Sequence, residues 1–190
     1  MDGGYEEAWV FGFTAKSAAG TAIGGLGLTI LCLFGYGALF WSRPMPIPSP
    51  PLFILVVVGT LVVHELVHGL GFLLVGAAPR FSAGFKVGMP FLFTTSPGRR
   101  LTKGRMLLVG ALPLILIDLV ALAMGFYQPT VIGGMLVFTL NTGGAAGDIW
   151  MLALIARSPA GMLFEADAGP RMVGWRRRPG SIGGEFARSL

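Results

Sequence analysis

Four stretches of apolar residues, separated by polar or proline-rich segments, dominate the pattern of the chain. They cover about residues 21–41, 52–78, 106–127 and 131–156. A helix of about 20 apolar residues is long enough to cross the hydrocarbon core of a bilayer. The pattern therefore predicts an all-α membrane protein with about four transmembrane helices.

The segment between the second and third stretches follows a different pattern. Polar and apolar residues alternate over 80–87, and a second run of mostly apolar residues covers 91–95. Alternation with a period of two is typical of a strand, and Gly88 and Pro90 favour a turn between the two runs. We therefore expect a short interfacial β-hairpin or re-entrant loop here. It could offer a strand edge to an extended peptide, or it could only shield the neighbouring helices.

Composition and charge agree with a membrane protein and predict its orientation. Hydrophobic residues make up 54% of the chain, and the mean hydropathy is +0.74. Of the 14 Lys and Arg residues, only Arg43 lies between the first two stretches, while the others lie near the termini or in the 79–105 loop. The positive-inside rule therefore predicts a multi-pass protein of the cell membrane with both termini and this loop in the cytoplasm.

The net charge of +5 then reflects orientation and contact with anionic lipid headgroups. No combination of aromatic and basic residues typical of RNA or DNA binding is found, so we expect no nucleic-acid partner. The acidic N-terminus lacks the basic region of a signal peptide, so the first span is expected to be retained. Residues 1–156 are predicted to form one transmembrane domain, and 157–190 a basic cytoplasmic tail.

The second apolar stretch contains the sequence His64-Glu65-Leu66-Val67-His68-Gly69, and its two histidines are the only ones in the chain. On a helix, residues four apart share a face, so both imidazoles can bind one metal ion. Glu65 can then act as the catalytic base toward a water molecule at the metal. Ionisable groups are costly in a hydrocarbon environment, and a shared cation offsets that cost. We therefore predict one Zn²⁺ ion at His64 and His68.

A catalytic zinc site usually has three protein ligands, and three residues are candidates for the third. Asp148 follows Gly143, Gly144 and Gly147, which allow its helix to approach closely. Asp118 lies among bulky residues in the third stretch, which suits a partner of an imidazole N–H or an alternative ligand. Cys32 is the least favoured, since buried cysteines commonly only pack. We predict Asp148 as the ligand.

These motifs resemble those of a known family. The HELVHG sequence, Pro113 in the third stretch, the segment from Asn141 to Asp148, and the 165–167 region are similar to those of the zincin peptidase family of prokaryotic multi-pass membrane proteins. The pattern also resembles that of the site-2 proteases, although no proline lies between Asn141 and Asp148 here. The resemblance implies zinc ligation by the two histidines and Glu65 as the general base. Asn141 could position a substrate backbone, or it could form a hydrogen bond between helices.

The predicted function is that of a membrane-embedded zinc metallopeptidase that hydrolyses peptide bonds through a metal-activated water. Its partners would be membrane lipids and a peptide or membrane-protein substrate. The alternative is a non-catalytic membrane scaffold or regulator that retains the zinc site. A closed site that used both Asp118 and Asp148 would favour this alternative, because no position would remain for water.

Overall fold

The computed structural model describes residues 4–12, 14–86, 89–169 and 171–178. These residues form five α-helices, a short 3-10 helix and six strands. The helices are α1 (Ala15–Leu39), α2 (Pro50–Leu74), α3 (Lys103–Gly125), α4 (Val131–Gly144) and α5 (Ala146–Arg157). The strands are β1 (Tyr5–Gly12), β2 (Arg80–Lys86), β3 (Met89–Thr95), β4 (Leu101–Thr102), β5 (Leu163–Ala166) and β6 (Arg171–Arg177).

Local sequence determines where the long helices begin and end. Thr14 caps α1 by accepting from the Ser17 backbone N–H, and the Ser17 hydroxyl accepts from the Thr14 backbone N–H in return. Helix α2 has proline in its first turn, where the missing N–H has no helical partner to lose. It ends just before Gly76, whose φ of +76° suits glycine at a helix C-terminus.

Three helices of the described part of the chain are long and apolar enough to cross a membrane. They cover Lys16–Leu39, Pro50–Leu74 and Lys103–Gly125. The helix predicted over 131–156 is divided at Ala145 into α4 and α5, which have 14 and 12 residues. The division places Asp148 in the first turn of α5. The chain is therefore a membrane protein by its three long helices, and a fourth span stays a prediction.

The fold is mostly helical, as predicted, but the described residues also form two sheets where the all-α prediction allowed only a short hairpin. One has four strands in the order β1-β6-β5-β4, with every neighbouring pair antiparallel. Strands β5 and β6 lie in the segment predicted to be a basic tail. Their apolar residues Phe164 and Met172 share one buried cluster with Phe72 of α2 and Ile155 of α5. A boundary after residue 156 therefore does not separate this core.

The second sheet is the antiparallel pair of β2 and β3, with Phe81 opposite Thr94. It occupies the segment for which a hairpin or re-entrant loop was predicted, and β3 packs against α2. The predicted turn at Gly88 lies outside the described residues, and the position of the pair relative to a membrane stays a prediction.

The chain connections place the larger sheet at one end of the helices. Strand β1 precedes α1, β4 precedes α3, and β5 follows α5. The proline-rich linker after α1 and the 3-10 helix at Gln128–Thr130 lie at the other end, where Gln128 donates to the Pro44 carbonyl. The basic segments at 79–105 and 157–177 therefore lie at the same end of the bundle as strand β1.

Glycine allows α4 to pack closely against α1. A Cβ atom added at Gly25 would lie 2.7 Å from the Gly143 carbonyl oxygen, whereas one added at Gly24 would meet nothing within 4 Å. Gly25 of the first span therefore permits the close approach of α1 and α4. Since α4 also packs on α2 and α3, it lies between the other helices and carries Asn141 into their midst.

Candidate metal centre

Two helices bring three metal-ligating side chains together. His64 and His68 lie one turn apart on α2, and Asp148 reaches them from the start of α5. The Asp148 Oδ2 atom lies 3.0 Å from His64 Nε2 and 3.6 Å from His68 Nε2. The side chains of the two histidines are 12% and 11% exposed and that of Asp148 is 20% exposed, so the group is largely shielded from solvent. These are the three residues predicted as metal ligands.

The Nδ1 atom of each histidine is bonded elsewhere, which determines what its Nε2 atom can do. His68 Nδ1 lies 3.0 Å from the Val109 carbonyl oxygen. A carbonyl can only accept, so Nδ1 carries the proton and a neutral His68 presents the Nε2 lone pair. His64 Nδ1 lies 2.9 Å from Asn141 Oδ1. His64 therefore also presents an Nε2 lone pair toward Asp148.

The orientation of the Asn141 amide supports this assignment. Its Nδ2 group donates to Asp118 Oδ1 at 2.8 Å and to the Pro113 carbonyl at 3.3 Å. Both partners suit the NH₂ end of the amide, so the oxygen faces His64. Both polar atoms of this buried amide are thus used within the protein. The substrate-positioning role predicted for Asn141 stays a prediction, and its observed contact is with a histidine.

Pro113 explains why the Val109 carbonyl is free to bind His68. A proline has no backbone N–H, so the carbonyl four residues earlier in the helix loses its usual partner. That carbonyl belongs to Val109, and Pro113 lies inside α3. The Val109 carbonyl instead accepts a hydrogen bond from His68 Nδ1.

The convergence of acceptors fits a cation. In the neutral tautomers assigned above, two imidazole lone pairs and a carboxylate oxygen face one another, and a cation at their centre would relieve the repulsion. Ligands about 2.0–2.1 Å from a tetrahedral zinc ion are separated by about 3.3 Å. The observed 3.0 and 3.6 Å bracket that value. The donor set of two nitrogens and one oxygen also suits zinc and leaves a fourth position open.

The other predicted candidates lie outside this group. Within the described residues, the cluster of His, Cys, Asp and Glu that could hold a metal contains His64, His68 and Asp148. Asp118 instead accepts hydrogen bonds from Asn141 and from the Thr142 hydroxyl, each at 2.8 Å. It therefore reaches His64 only through Asn141. Cys32 is a free thiol on α1.

Glu65 lies beside the ligands and is held by a residue that sequence reasoning missed. The Thr94 hydroxyl of β3 lies 2.8 Å from Glu65 Oε2 and 3.0 Å from the Glu65 carbonyl oxygen. Val109 was likewise not predicted to contact the site. In both cases the only available signal was indirect. The apolar run over 91–95, which contains Thr94, was expected to return beside the strand at 80–87. A proline at 113 leaves the carbonyl four residues earlier without its helical partner.

A cavity of about 520 Å³ adjoins these groups. Glu65, both histidines and Asp148 line it, together with residues of β3, α3 and the larger sheet. Most of its wall is apolar, and the aromatic and methionine side chains in it include Phe91, Phe93, Met106, Met151 and Met172. An apolar cavity in which a few polar groups converge is the usual form of a binding site.

Comparison with known proteins agrees with this geometry. A family model with the description "Putative zincin peptidase" matches residues 52–163, which is more than half of the chain. The matched range contains the whole candidate metal centre. No curated protein and no solved structure was found to match the chain. The resemblance to the zincin peptidase family is thereby confirmed, and the chain belongs to that family, while the relation to the site-2 proteases stays a prediction.

Proposed function

We propose that the protein is a zinc-dependent peptidase embedded in the cell membrane. The observation that carries the proposal is the convergence of His64 Nε2, His68 Nε2 and Asp148 Oδ2 beside Glu65 in one cavity. Membership of the zincin peptidase family supports the same reaction class. The substrate would be a peptide or a membrane protein with an extended segment that enters the apolar cavity.

His64, His68 and Asp148 would hold one zinc ion. When bound, zinc supplies a Lewis acid that polarises the scissile carbonyl and makes water more acidic. Glu65 takes a proton from the attacking water and delivers it to the leaving amine, so one carboxylate serves both proton transfers. Asn141 and Val109 hold the Nδ1 protons of the two histidines, which keeps both Nε2 atoms directed at the same point.

A closed metal site would favour the alternative of a non-catalytic scaffold. The carboxylate oxygens of Asp118 are bonded to Asn141 and Thr142, and this arrangement gives the site no fourth protein ligand from Asp118. An open position next to a carboxylate base favours hydrolysis over a structural role.

We also propose that the larger sheet and the 79–105 loop lie on the cytoplasmic side of the membrane. The positive-inside rule supports this orientation, because the basic segments lie at the end of the bundle that carries the sheet. The metal helix ends at Leu74, six residues after His68, so at about 1.5 Å per residue the site lies within roughly 10 Å of that end.

The test of the peptidase proposal is Glu65→Gln. Wild type and variant are purified with zinc, and cleavage of an unfolded soluble protein and of a helical membrane protein is measured beside the zinc content. We expect the variant to retain zinc and to lose cleavage by roughly 100-fold or more, because glutamine cannot accept the proton. Glu6→Gln is the matched control, since Glu6 forms an exposed ion pair with Arg176 in the sheet.

Full zinc-dependent cleavage by Glu65→Gln would contradict the role of Glu65. A wild-type protein that holds zinc and cleaves neither substrate would instead favour the scaffold.

A further inference from the structure

We propose that Thr94 is a positioning residue for Glu65, and that the β2–β3 pair holds the catalytic base in place. The inference rests on the proposed peptidase function and adds a residue outside the HELVHG motif. Its basis is the contact of one hydroxyl with both the side chain and the backbone of Glu65.

The Thr94 contact restrains a side chain that is otherwise free to rotate. A glutamate has several rotatable bonds, and a base that acts on a defined water must be held in one orientation. Thr94 Oγ1 lies 2.8 Å from Oε2, which is the usual length of an O–H···O hydrogen bond. A hydrogen bond to one carboxylate oxygen leaves the other, Oε1, to accept a proton from a water in the cavity.

The second contact determines where Thr94 lies along α2. The same hydroxyl is 3.0 Å from the Glu65 carbonyl oxygen, so the strand residue is placed against the backbone as well as the carboxylate. Sideways displacement of β3 would break both contacts together. The geometry of the base therefore depends on the docking of a strand onto the metal helix.

The neighbouring strand completes this docking through the motif's own glycine. Phe81 lies opposite Thr94 in the β2–β3 register, and its ring lies against Gly69, where a Cβ atom would collide with it. Glu65 and Gly69 are four residues apart and share one face of α2. Thr94 thus contacts Glu65, and its cross-strand neighbour Phe81 contacts Gly69 one turn later. The absence of a side chain at Gly69 makes room for the Phe81 ring.

The end of β3 is attached to the larger sheet. The Ser96 backbone N–H donates to the Ala166 carbonyl of β5 at 3.1 Å, and both Thr95 and Ser96 are buried. The strand that carries Thr94 is therefore fixed at one side by α2 and at its end by the sheet. This is the rigid support that a positioning residue needs.

The experiment compares Thr94→Val, Thr94→Ser and the control Ser82→Ala, which removes an exposed hydroxyl from the same strand pair. Valine keeps the shape of threonine and removes the hydroxyl, while serine retains it. Zinc content, kcat, KM and the Kd of the zinc chelator leucine hydroxamate are measured. The same hydroxamate titration is made with Glu65→Gln and with the double variant Glu65→Gln, Thr94→Val. Thr94→Ala replaces the valine variant if that one does not fold.

We expect Thr94→Val to retain zinc, to lower kcat roughly tenfold with little change in KM, and to weaken hydroxamate binding. Thr94→Ser and Ser82→Ala should stay within about twofold of wild type. In the Glu65→Gln background, Thr94→Val should cause no further loss of hydroxamate affinity, because Thr94 acts through Glu65.

Wild-type kcat and hydroxamate affinity in Thr94→Val would overturn the role of Thr94 and leave the peptidase proposal intact. Loss of zinc in that variant, or an equal loss of affinity in both backgrounds, would also overturn it, since either result shows a general structural role. If wild type binds zinc and hydroxamate but cleaves nothing, the peptidase proposal fails. The coupling between Thr94 and Glu65 is still measured by comparing the hydroxamate affinities of wild type, the two single variants and the double variant. A wild type that binds no zinc overturns both proposals.

Discussion

His68 Nδ1 lies 3.0 Å from the carbonyl oxygen of Val109, at the position where Pro113 removes the helical partner of that carbonyl. A residue that weakens α3 thus supplies a hydrogen-bond acceptor to the metal centre. The Pro113 carbonyl also accepts from Asn141, which binds the other histidine. One proline therefore influences both imidazoles.

Pro113→Ala should complete the hydrogen bonding of α3 and at the same time lower the affinity for zinc. Alanine restores a backbone N–H that can bond to Val109 and compete with His68. We expect zinc affinity to fall roughly tenfold, because residues that orient metal-binding histidines have effects of this size. Zinc affinity is measured by competition with a chelator of known affinity. The control is Pro129→Ala in the 3-10 helix at the far end of the bundle.

An unchanged zinc affinity in Pro113→Ala would show that the Val109 contact does not orient His68.

The third ligand is tested by removing each aspartate. Asp148→Ala takes away the oxygen that faces both histidines, and we expect the purified variant to contain well under one zinc ion per chain. Asp118→Asn should retain zinc with a weaker affinity, because Asp118 contacts Asn141 and not the histidines. Elemental analysis of both variants beside wild type gives the answer. Full occupancy in Asp148→Ala would refute Asp148 as the ligand.

A matched glycine pair tests the packing of α1 on α4. Gly25→Ala places a methyl group 2.7 Å from the Gly143 carbonyl oxygen, and we expect it to destabilise the protein by about 1–3 kcal/mol. Gly24→Ala adds the same methyl group where nothing lies within 4 Å, so it should be neutral or slightly stabilising. Thermal unfolding in detergent compares the two variants. Equal Tm values would contradict the close approach of the two helices.

Orientation is tested with single cysteines in a Cys32→Ala background. Ile47 lies in the proline-rich linker and is 95% exposed, whereas Arg99 lies in the loop at the opposite end of the bundle. We expect a membrane-impermeant thiol reagent to label Ile47→Cys in intact cells, and Arg99→Cys only after permeabilisation. The reverse labelling pattern would place the sheet outside the cytoplasm.

Long-range apolar runs and short-range spacing were readable from the sequence. The structure contains three of the predicted membrane-spanning helices. It also brings His64, His68 and Asp148 together in one cluster, as predicted. The helices and the two histidines could be predicted from patterns within one element. Asp148 could be predicted because small residues such as Gly143 precede it and permit close helix approach. A strand was likewise predicted from alternation over 80–87, and the apolar run over 91–95, which contains Thr94, was expected to return beside it.

The larger sheet was not predicted, because its pairing is not local. Strand β1 pairs with β6 from the other end of the chain, with Tyr5 opposite Arg177, and β4 has only 2 residues. Such strands carry little periodic signal of their own, and the basic residues of β6 resembled a tail. The break at Ala145 was also missed, because the apolar run continues through it. Tertiary packing determines these features.

The ligands of the metal centre are far apart in the chain: His64 and Asp148 are separated by 84 positions. The first of them belongs to the second helix to be synthesised, and the last belongs to the fifth. A nascent chain that has inserted only α1 and α2 therefore offers two imidazoles and no carboxylate from α5. On the proposed assignment, tight zinc capture would wait until α5 has joined the bundle, so a chain without α5 would lack the complete site.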